Sequence, residues 1–499
     1  MKILKIISIL LIAITSTFAE LYVDSAKIDN NAVVNSQEKD VVEATFKLPK
    51  VKRIPFAAIT VEGEIKDTKQ IYPSLLISVG DNPVASRTIL NKKGKFGALF
   101  VVTREIRDAI RENKESIDVK ISMSGKNQTA CEIKSASLKV LINEKHFRTS
   151  IYMRPVFSGD ETIAESIFPL GDADAKKPVT AKLLFKPTEI LEAYTLSSGK
   201  KVELQKDKDY KINGDTIEFL PNSNVKIIPY SEMYADTKEQ AKNLGANFHF
   251  SVIKKYAKFR EGNWFHSHMV YISYKHMATN EKVGEKYDDT ILPNTITFLK
   301  EKRPLRIALY GDSISQGANA SGHSLTIPFA PSWGDYVAQE LKRYYRAPVV
   351  YFNRALGGTN STWGNAQIEE LVCPDKPDLV ILAFGMNDRL PAEKFKENIQ
   401  SMISKIRKVN PSAEIILVTS MFANPLWHNF PVHDEYAKVC ASLQTKGVAV
   451  ADVRAVHKRL LKQKRFIDMT GNNVNHPNDF LIRIYAQTIL QKLIPTMSK

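Results

Sequence analysis

Ser313 closes the run Leu305–Tyr310 in the stretch Gly311-Asp312-Ser313-Ile314-Ser315, where an apolar strand gives way to a sharp turn of small residues. Ligands in open α/β sheets collect at such carboxyl ends of parallel strands. Acyl transfer needs a nucleophile, a base that takes its proton, and donors aimed at the oxygen that becomes negative. Three later loops hold the remaining types: Asn353-Arg354-Ala355-Leu356-Gly357-Gly358-Thr359, then Gly385-Met386-Asn387-Asp388, then Asn472-Asn473-Val474-Asn475-His476-Pro477. Ser313 reads as nucleophile and His476 as base. The backbone N–H of Ser313, the backbone N–H of Gly358 and the side-chain amide of Asn387 read as the oxyanion donors. Gly-Asp-Ser alone is also ordinary turn chemistry, so the case rests on the four loops together.

The loops meet in space only if the strands before them lie side by side and parallel. Beyond Pro304 the chain alternates apolar strand patterns (LRIALY, PVVYF, DLVILAF, AEIILVTS, VAVADV) with helical stretches near Ser332–Tyr345, Trp363–Leu371, Pro391–Arg407 and Val432–Lys446, and a last helix over Phe480–Leu493. This grammar predicts an α/β fold, a three-layer α/β/α flavodoxin-like parallel sheet whose strand-end loops share one edge.

In this order the four blocks resemble the SGNH (GDSL-type) hydrolase superfamily of esterases and lipases, from about Arg303 to Leu493. The resemblance implies Ser313 as the first-block serine, Gly358 as the oxyanion glycine with Gly357 as near alternative, Asn387 as the third-block asparagine and His476 as the fifth-block histidine. It implies no cofactor and no metal. One position departs from the pattern: the aspartate expected three residues before the histidine is Asn473. That acid fixes the imidazole tautomer and stabilises the imidazolium. Asn473 could orient His476 through its side-chain carbonyl, the favoured reading, which makes a serine-histidine dyad. Asp468 or Asp479 could bring a carboxylate from elsewhere on the stretch, or a backbone carbonyl could serve. Asp479, beside Asn478 at a helix start, also reads as a cap, and Asp312 and Asp388 read as braces of their loops.

Residues 1–19 have the basic, apolar and small-residue order of a secretory signal, so the protein is expected to be secreted or periplasmic, with no stable membrane insertion after cleavage. Residues 20–150 show short alternating runs between turn residues, an all-β sandwich or jelly roll. Residues 151–299 form a second β-rich region, a candidate accessory carbohydrate-binding part, and 300–499 the hydrolase domain. Within Trp264–Tyr274 the pattern predicts a strand with His266 and His268 on one face and His276 nearby, read as rim residues rather than metal ligands. Three cysteines in 499 residues exclude a disulfide scaffold, and a Cys373–Cys440 bridge is left open. The net charge of +16 is spread along the chain, which suits steering toward an acidic polysaccharide or cell envelope and not a nucleic-acid module.

Serine, base and oxyanion donors specify acyl transfer without specifying the acyl group. Export, a basic surface and β modules ahead of the hydrolase, as in some carbohydrate esterases, point to a carboxylic ester hydrolase that removes O-acetyl groups from a glycan. A lipid esterase or lysophospholipase, a glycan-binding protein with weak or no catalysis, and an acyltransferase are the alternatives. Oligomeric state is not legible.

Overall fold

The computed structural model describes residues 20–498, except 28–32, 36–40, 66–71, 90–93, 125–129, 143–152, 244–246, 251–254, 282–286, 427–430 and the single positions 53, 55, 175, 198 and 325. The signal-like segment 1–19 lies outside the described residues. No described helix is long and apolar enough to cross a membrane.

Nine strands form the central sheet. In chain order they are β1 (Val42–Lys47), β2 (Ser74–Val79), β3 (Asn82–Thr88), β4 (Ser116–Ser124), β5 (Leu305–Gly311), β6 (Val349–Asn353), β7 (Leu379–Ala383), β8 (Glu414–Val418) and β9 (Val448–Ala451). Their order across the sheet is β9-β8-β7-β5-β6-β3-β2-β4-β1. From β9 to β3 every pairing is parallel, and from β3 to β1 every pairing is antiparallel. In β5 side chains alternate between two cores: Ile307 and Leu309 join Trp333, Leu341 and Phe480, while Ala308 and Tyr310 join Ile399, Met402 and Leu417. Burial on both faces explains why these strands read as unbroken apolar runs. The helices that cover the sheet include α1 (Ser313–Gln316), α2 (Trp333–Tyr345), α3 (Ser361–Leu371), α4 (Ala392–Val409), α5 (Val432–Ser442) and α6 (Asp479–Leu490). Ser332, Asn360 and Asn478 cap α2, α3 and α6 by accepting backbone N–H groups.

The sequence pattern predicts a five-stranded sheet following a sandwich, and the observed sheet runs on into that sandwich. Tyr351, Phe352 and Asn353 pair in parallel with Ala85, Ser86 and Arg87. The edge strand β6 of the five, with its unpaired N–H and C=O groups, is thereby covered by a strand more than two hundred residues away, a pairing that leaves no local trace. A five-stranded antiparallel sheet that includes Phe56–Ile65 and Ala130–Ile142 packs over β1–β4 through Phe46, Ile59, Ile77, Val119 and Leu138. Across the junction Arg87 pairs with Asp335 at 3.2 Å and donates to the Gln316 carbonyl at 3.1 Å, and Arg354 donates to Ser86 Oγ at 2.9 Å.

Residues 158–280 build a four-stranded antiparallel sheet and two smaller three-stranded ones. This region is fastened to the C-terminal α/β part by Lys464 and Glu165, both fully buried and 2.5 Å apart. Trp264–Tyr274 is not one strand: His266–His268 is a 3-10 turn, and Val270–Asn280 is the strand that carries His276.

Replacing Arg87 with Met leaves the buried Asp335 carboxylate without its ion pair. Urea unfolding of R87M is expected to lose about 3–5 kcal/mol, the usual cost of a broken buried pair. A loss below about 1 kcal/mol would show that the shared sheet does not depend on this contact.

Candidate active site

β5 ends at Gly311, a position where nothing larger fits: a Cβ there would lie 2.4 Å from the Ala383 carbonyl oxygen and 2.5 Å from Ser315 Oγ. The next residue, Asp312, is extended and accepts the Ile314 N–H at 2.9 Å, which caps α1 and sets Ser313 as its first residue. Burial pushes the Asp312 carboxyl up to about 7, against the pull of the Ile314 N–H and the charge of His476.

His476 reaches Ser313 from the loop before α6. Asn472 Oδ1 accepts the backbone N–H groups of Val474, Asn475 and His476 at 2.9, 3.0 and 3.0 Å, while the His476 carbonyl accepts from Gly471 N–H at 2.9 Å and Thr470 Oγ at 3.0 Å. So held, His476 Nε2 lies 2.8 Å from Ser313 Oγ. At the other ring nitrogen, Nδ1, Asn319 Oδ1 lies at 2.7 Å and Glu261 Oε2 at 3.2 Å. Asn319 Nδ2 donates to the Gly262 carbonyl at 3.3 Å and the Gly471 carbonyl at 3.1 Å. Its oxygen therefore faces the imidazole, Nδ1 carries the proton, and Nε2 is left to accept from the Ser313 hydroxyl.

None of the three residues weighed as orienters of His476 contacts the ring. Asn473 Oδ1 accepts from Asn424 Nδ2 at 2.9 Å and its Nδ2 donates to the Lys258 carbonyl at 2.9 Å. The position, in a left-handed backbone (φ 67°), needs one acceptor and one donor, which asparagine supplies and an ionised aspartate does not. Asp468 is buried and held by two Arg465 nitrogens and the Phe168 N–H. Burial opposes its charge, and Arg465 and Lys464 more than compensate, keeping its carboxyl below the ordinary value. Asp479 Oδ1 accepts the Ser321 N–H at 2.9 Å, while Asn478, not Asp479, caps α6.

Glu261 and Asn319 were not legible as site residues. Asn319 follows the turn after α1 with no motif around it, and Glu261 lies outside the four blocks, one of 54 acidic residues. The one available signal was the missing aspartate itself, which implies a replacement from a distant part of the chain.

On the facing loops, Gly357 abuts the serine, its Cβ position being 3.6 Å from Ser313 Cβ, but its N–H donates to Gln316 Oε1 at 3.0 Å. Gly358 adopts φ 77°, a conformation that favours glycine, and stands exposed with open space around it. Asn387 Nδ2 donates to the Thr359 carbonyl at 3.0 Å, tying the second and third loops together. Asp388 accepts from both N–H and Oγ of Ser361.

The other histidines serve elsewhere. His266 is buried and donates from Nε2 to the Asn319 carbonyl at 2.6 Å. His457 accepts the Phe422 N–H at 3.0 Å, and burial and then Arg454 push its pKa down to about 3. On the loop after β8, the Arg454 guanidinium lies 3.6 Å from the centroid of the Phe422 ring, and residues 427–430 fall outside the described residues. No group of side chains fit for a metal occurs among the described residues. Cys131, Cys373 and Cys440 are buried free thiols, so Cys373 and Cys440 are not bridged.

Residues 309–480 match the model of the GDSL-like Lipase/Acylhydrolase family. The chain is 29% identical over 132 residues to a GDSL esterase/lipase of Arabidopsis thaliana, covering 23% of this chain and 49% of that protein. It thus spans about half the length of the curated relative it matches. Similar solved structures include an acetylxylan esterase from Geobacillus stearothermophilus, with 18% identity and a TM-score of 0.33 over 38% of this chain and 94% of that one. Another is a two-domain esterase active on acetylated mannans, co-crystallized with mannopentaose, with 21% identity and a TM-score of 0.36 over 44% of this chain and 56% of that one.

Two outcomes check this geometry. An unfolded chain titrates Asp312 near the ordinary carboxylate value, about 4, and the folded chain near 7. Its contribution to stability is therefore whole below about pH 4 and lost as pH rises through 7. Asp312→Asn should flatten the fall in Tm over that window, and an unchanged slope would contradict the raised value. Asn473→Asp, which returns a carboxylate to the family's position, should destabilise the fold by about 1–3 kcal/mol through the unpaired Lys258 carbonyl and should not raise turnover. Faster turnover would return the orienting role to residue 473.

Proposed function

We propose that this protein is an exported serine esterase that removes O-acetyl groups from a polysaccharide or other glycan. The observation that carries the reading is the 2.8 Å contact between Ser313 Oγ and His476 Nε2, with His476 Nδ1 donating its proton to Asn319 Oδ1. As Ser313 Oγ bonds to the acyl carbon, its proton passes to Nε2 and the carbonyl oxygen becomes an oxyanion. The backbone N–H groups of Ser313 and Gly358 and the Asn387 amide serve as its donors. The proton then moves from Nε2 to the leaving sugar oxygen as the C–O bond breaks. Water repeats the sequence on the acyl-enzyme and releases acetate. No cofactor takes part.

Polar surroundings support a glycan over a long acyl chain. The exposed residues on the described loops around the pair include Arg260, Glu261, Asn263, His323, Gly357, Gly358 and Arg389. An apolar cavity lined by Phe56, Leu141, Ile163, Tyr194 and Phe329 lies between the β regions and α2, and neither Ser313 nor His476 lines it. Such an arrangement suits a small acyl group presented on a hydrated carbohydrate. The residues 158–280 beside the site are the part of the chain suited to hold the glycan.

Acetate release from a panel of acetylated polysaccharides, compared between wild type and Ser313→Ala, tests the reading. Wild type should release acetate, and the variant should fall by at least about a thousandfold. Faster turnover of long-chain than of acetyl nitrophenyl esters would favour a lipid esterase. Glycan binding without turnover on any ester would favour a binding protein.

A further inference from the structure

We infer that Glu261, from outside the matched hydrolase segment, supplies the carboxylate of this site, and that the role of one triad aspartate is divided between two residues: Asn319 positions the ring and Glu261 carries the charge. The inference rests on the esterase reading above.

Asn319 cannot take both roles. Its Nδ2 is committed to the carbonyls of Gly262 and Gly471, and an aspartate in its place would set a charged oxygen against two carbonyl oxygens. The residue at 319 must stay neutral, so the negative charge facing the imidazolium has to come from another side chain. Glu261 is placed for it. One carboxylate oxygen lies 3.2 Å from His476 Nδ1, and the other accepts from Asn472 Nδ2 at 3.1 Å. The Asn472 oxygen meanwhile holds the backbone N–H of His476. One asparagine therefore fixes both the base and the acid.

The segment that carries Glu261 joins the strands Tyr256–Phe259 and Val270–Asn280 and is tied along its length to the histidine loop. Asn473 donates to the Lys258 carbonyl, Arg260 N–H to the Asn472 carbonyl, and Asn319 to the Gly262 carbonyl. Asn472 and Asn473, which have no catalytic chemistry of their own, act together through these bonds to seat residues 258–262 against His476. Glu261 is about half exposed, and the partial desolvation by its neighbours opposes its charge, but its contacts with His476, Asn472 and Asn319 hold its carboxyl below the ordinary value, so it faces the ring ionised. When Nε2 takes the serine proton, the Nδ1 proton stays on nitrogen, and Glu261 answers the new positive charge without being protonated. The β-rich region ahead of the hydrolase thus completes the active site.

The test measures kcat and KM for 4-nitrophenyl acetate across pH with full-length wild type, Glu261→Gln, Glu261→Ala and Ser313→Ala. Because Asn319 keeps the tautomer, E261Q should lower kcat by about 10- to 100-fold, less than the ten-thousandfold loss when a triad aspartate is changed, with KM within about twofold. Without the carboxylate the imidazolium is less favoured, so the acidic limb of kcat/KM should move to lower pH. Asp312 and His323, the other titratable groups whose charge bears on His476, are common to wild type and variant and do not move the limb between them. Added formate should restore part of the E261A rate. If wild type turns over and E261Q matches it in kcat and profile, or E261A is not rescued by formate, the inference is overturned while the esterase reading stands. If wild type neither turns over nor reacts with a serine-directed phosphonate, the esterase reading falls and this inference with it.

Discussion

The proton on His476 Nδ1 is the constraint around which the site is built. An imidazole can take a proton at Nε2 only if the other nitrogen already holds one, and free histidine exchanges the two forms readily. Here the choice is made by a side chain with no freedom of its own. Asn319 sits in a left-handed turn at φ 58°, its amide nitrogen aimed at two carbonyls and its own carbonyl held by the buried His266. Its oxygen has one place to point. The tautomer of His476, and with it the basicity offered to Ser313, follows from hydrogen bonds that make no contact with a substrate.

The same economy explains the local asparagines. Asn472 satisfies three successive backbone N–H groups and so makes the histidine loop a rigid turn. Asn473 needs to donate and to accept at once, to Lys258 and from Asn424, which is why the usual aspartate would be a poor fit. A loop that has lost its acid has thereby gained a seam to the neighbouring region. The sheet shows similar interdependence, because β3 covers the edge of β6 and Arg87 reaches from β3 to the end of the serine helix. Ser313 and His476 are each braced by a part of the chain outside the matched segment.

What was legible in the sequence was what is local. A strand running into a turn, a helix with its cap, and a serine or histidine at the junction are written in consecutive residues, so the positions of Ser313 and His476, the parallel strands β5 to β9 and most helices could be read directly. Contacts between distant segments could not. Nothing near Glu261 sets it apart from other acidic residues, and the β3–β6 pairing joins two ordinary strand patterns. Asn473 was read as a neutral orienter from the histidine's own loop, and its side chain bonds instead to Asn424 and Lys258, while the neutral carbonyl that faces the ring comes from Asn319. Reading His266 and His268 as strand neighbours failed for a related reason: their alternation fits a strand, and the bond from His266 in its 3-10 turn to the distant Asn319 carbonyl leaves no local trace.

The 2.8 Å contact between Ser313 and His476 implies that the histidine makes the serine nucleophilic. Treating the full-length protein with a fluorophosphonate and locating the adduct by mass spectrometry, in wild type and in His476→Ala, puts that dependence to the proof. One adduct per chain is expected, on Ser313, formed at least about a hundredfold more slowly in the variant. An adduct on another residue, or equal labelling of Ser313 with and without the histidine, would contradict it.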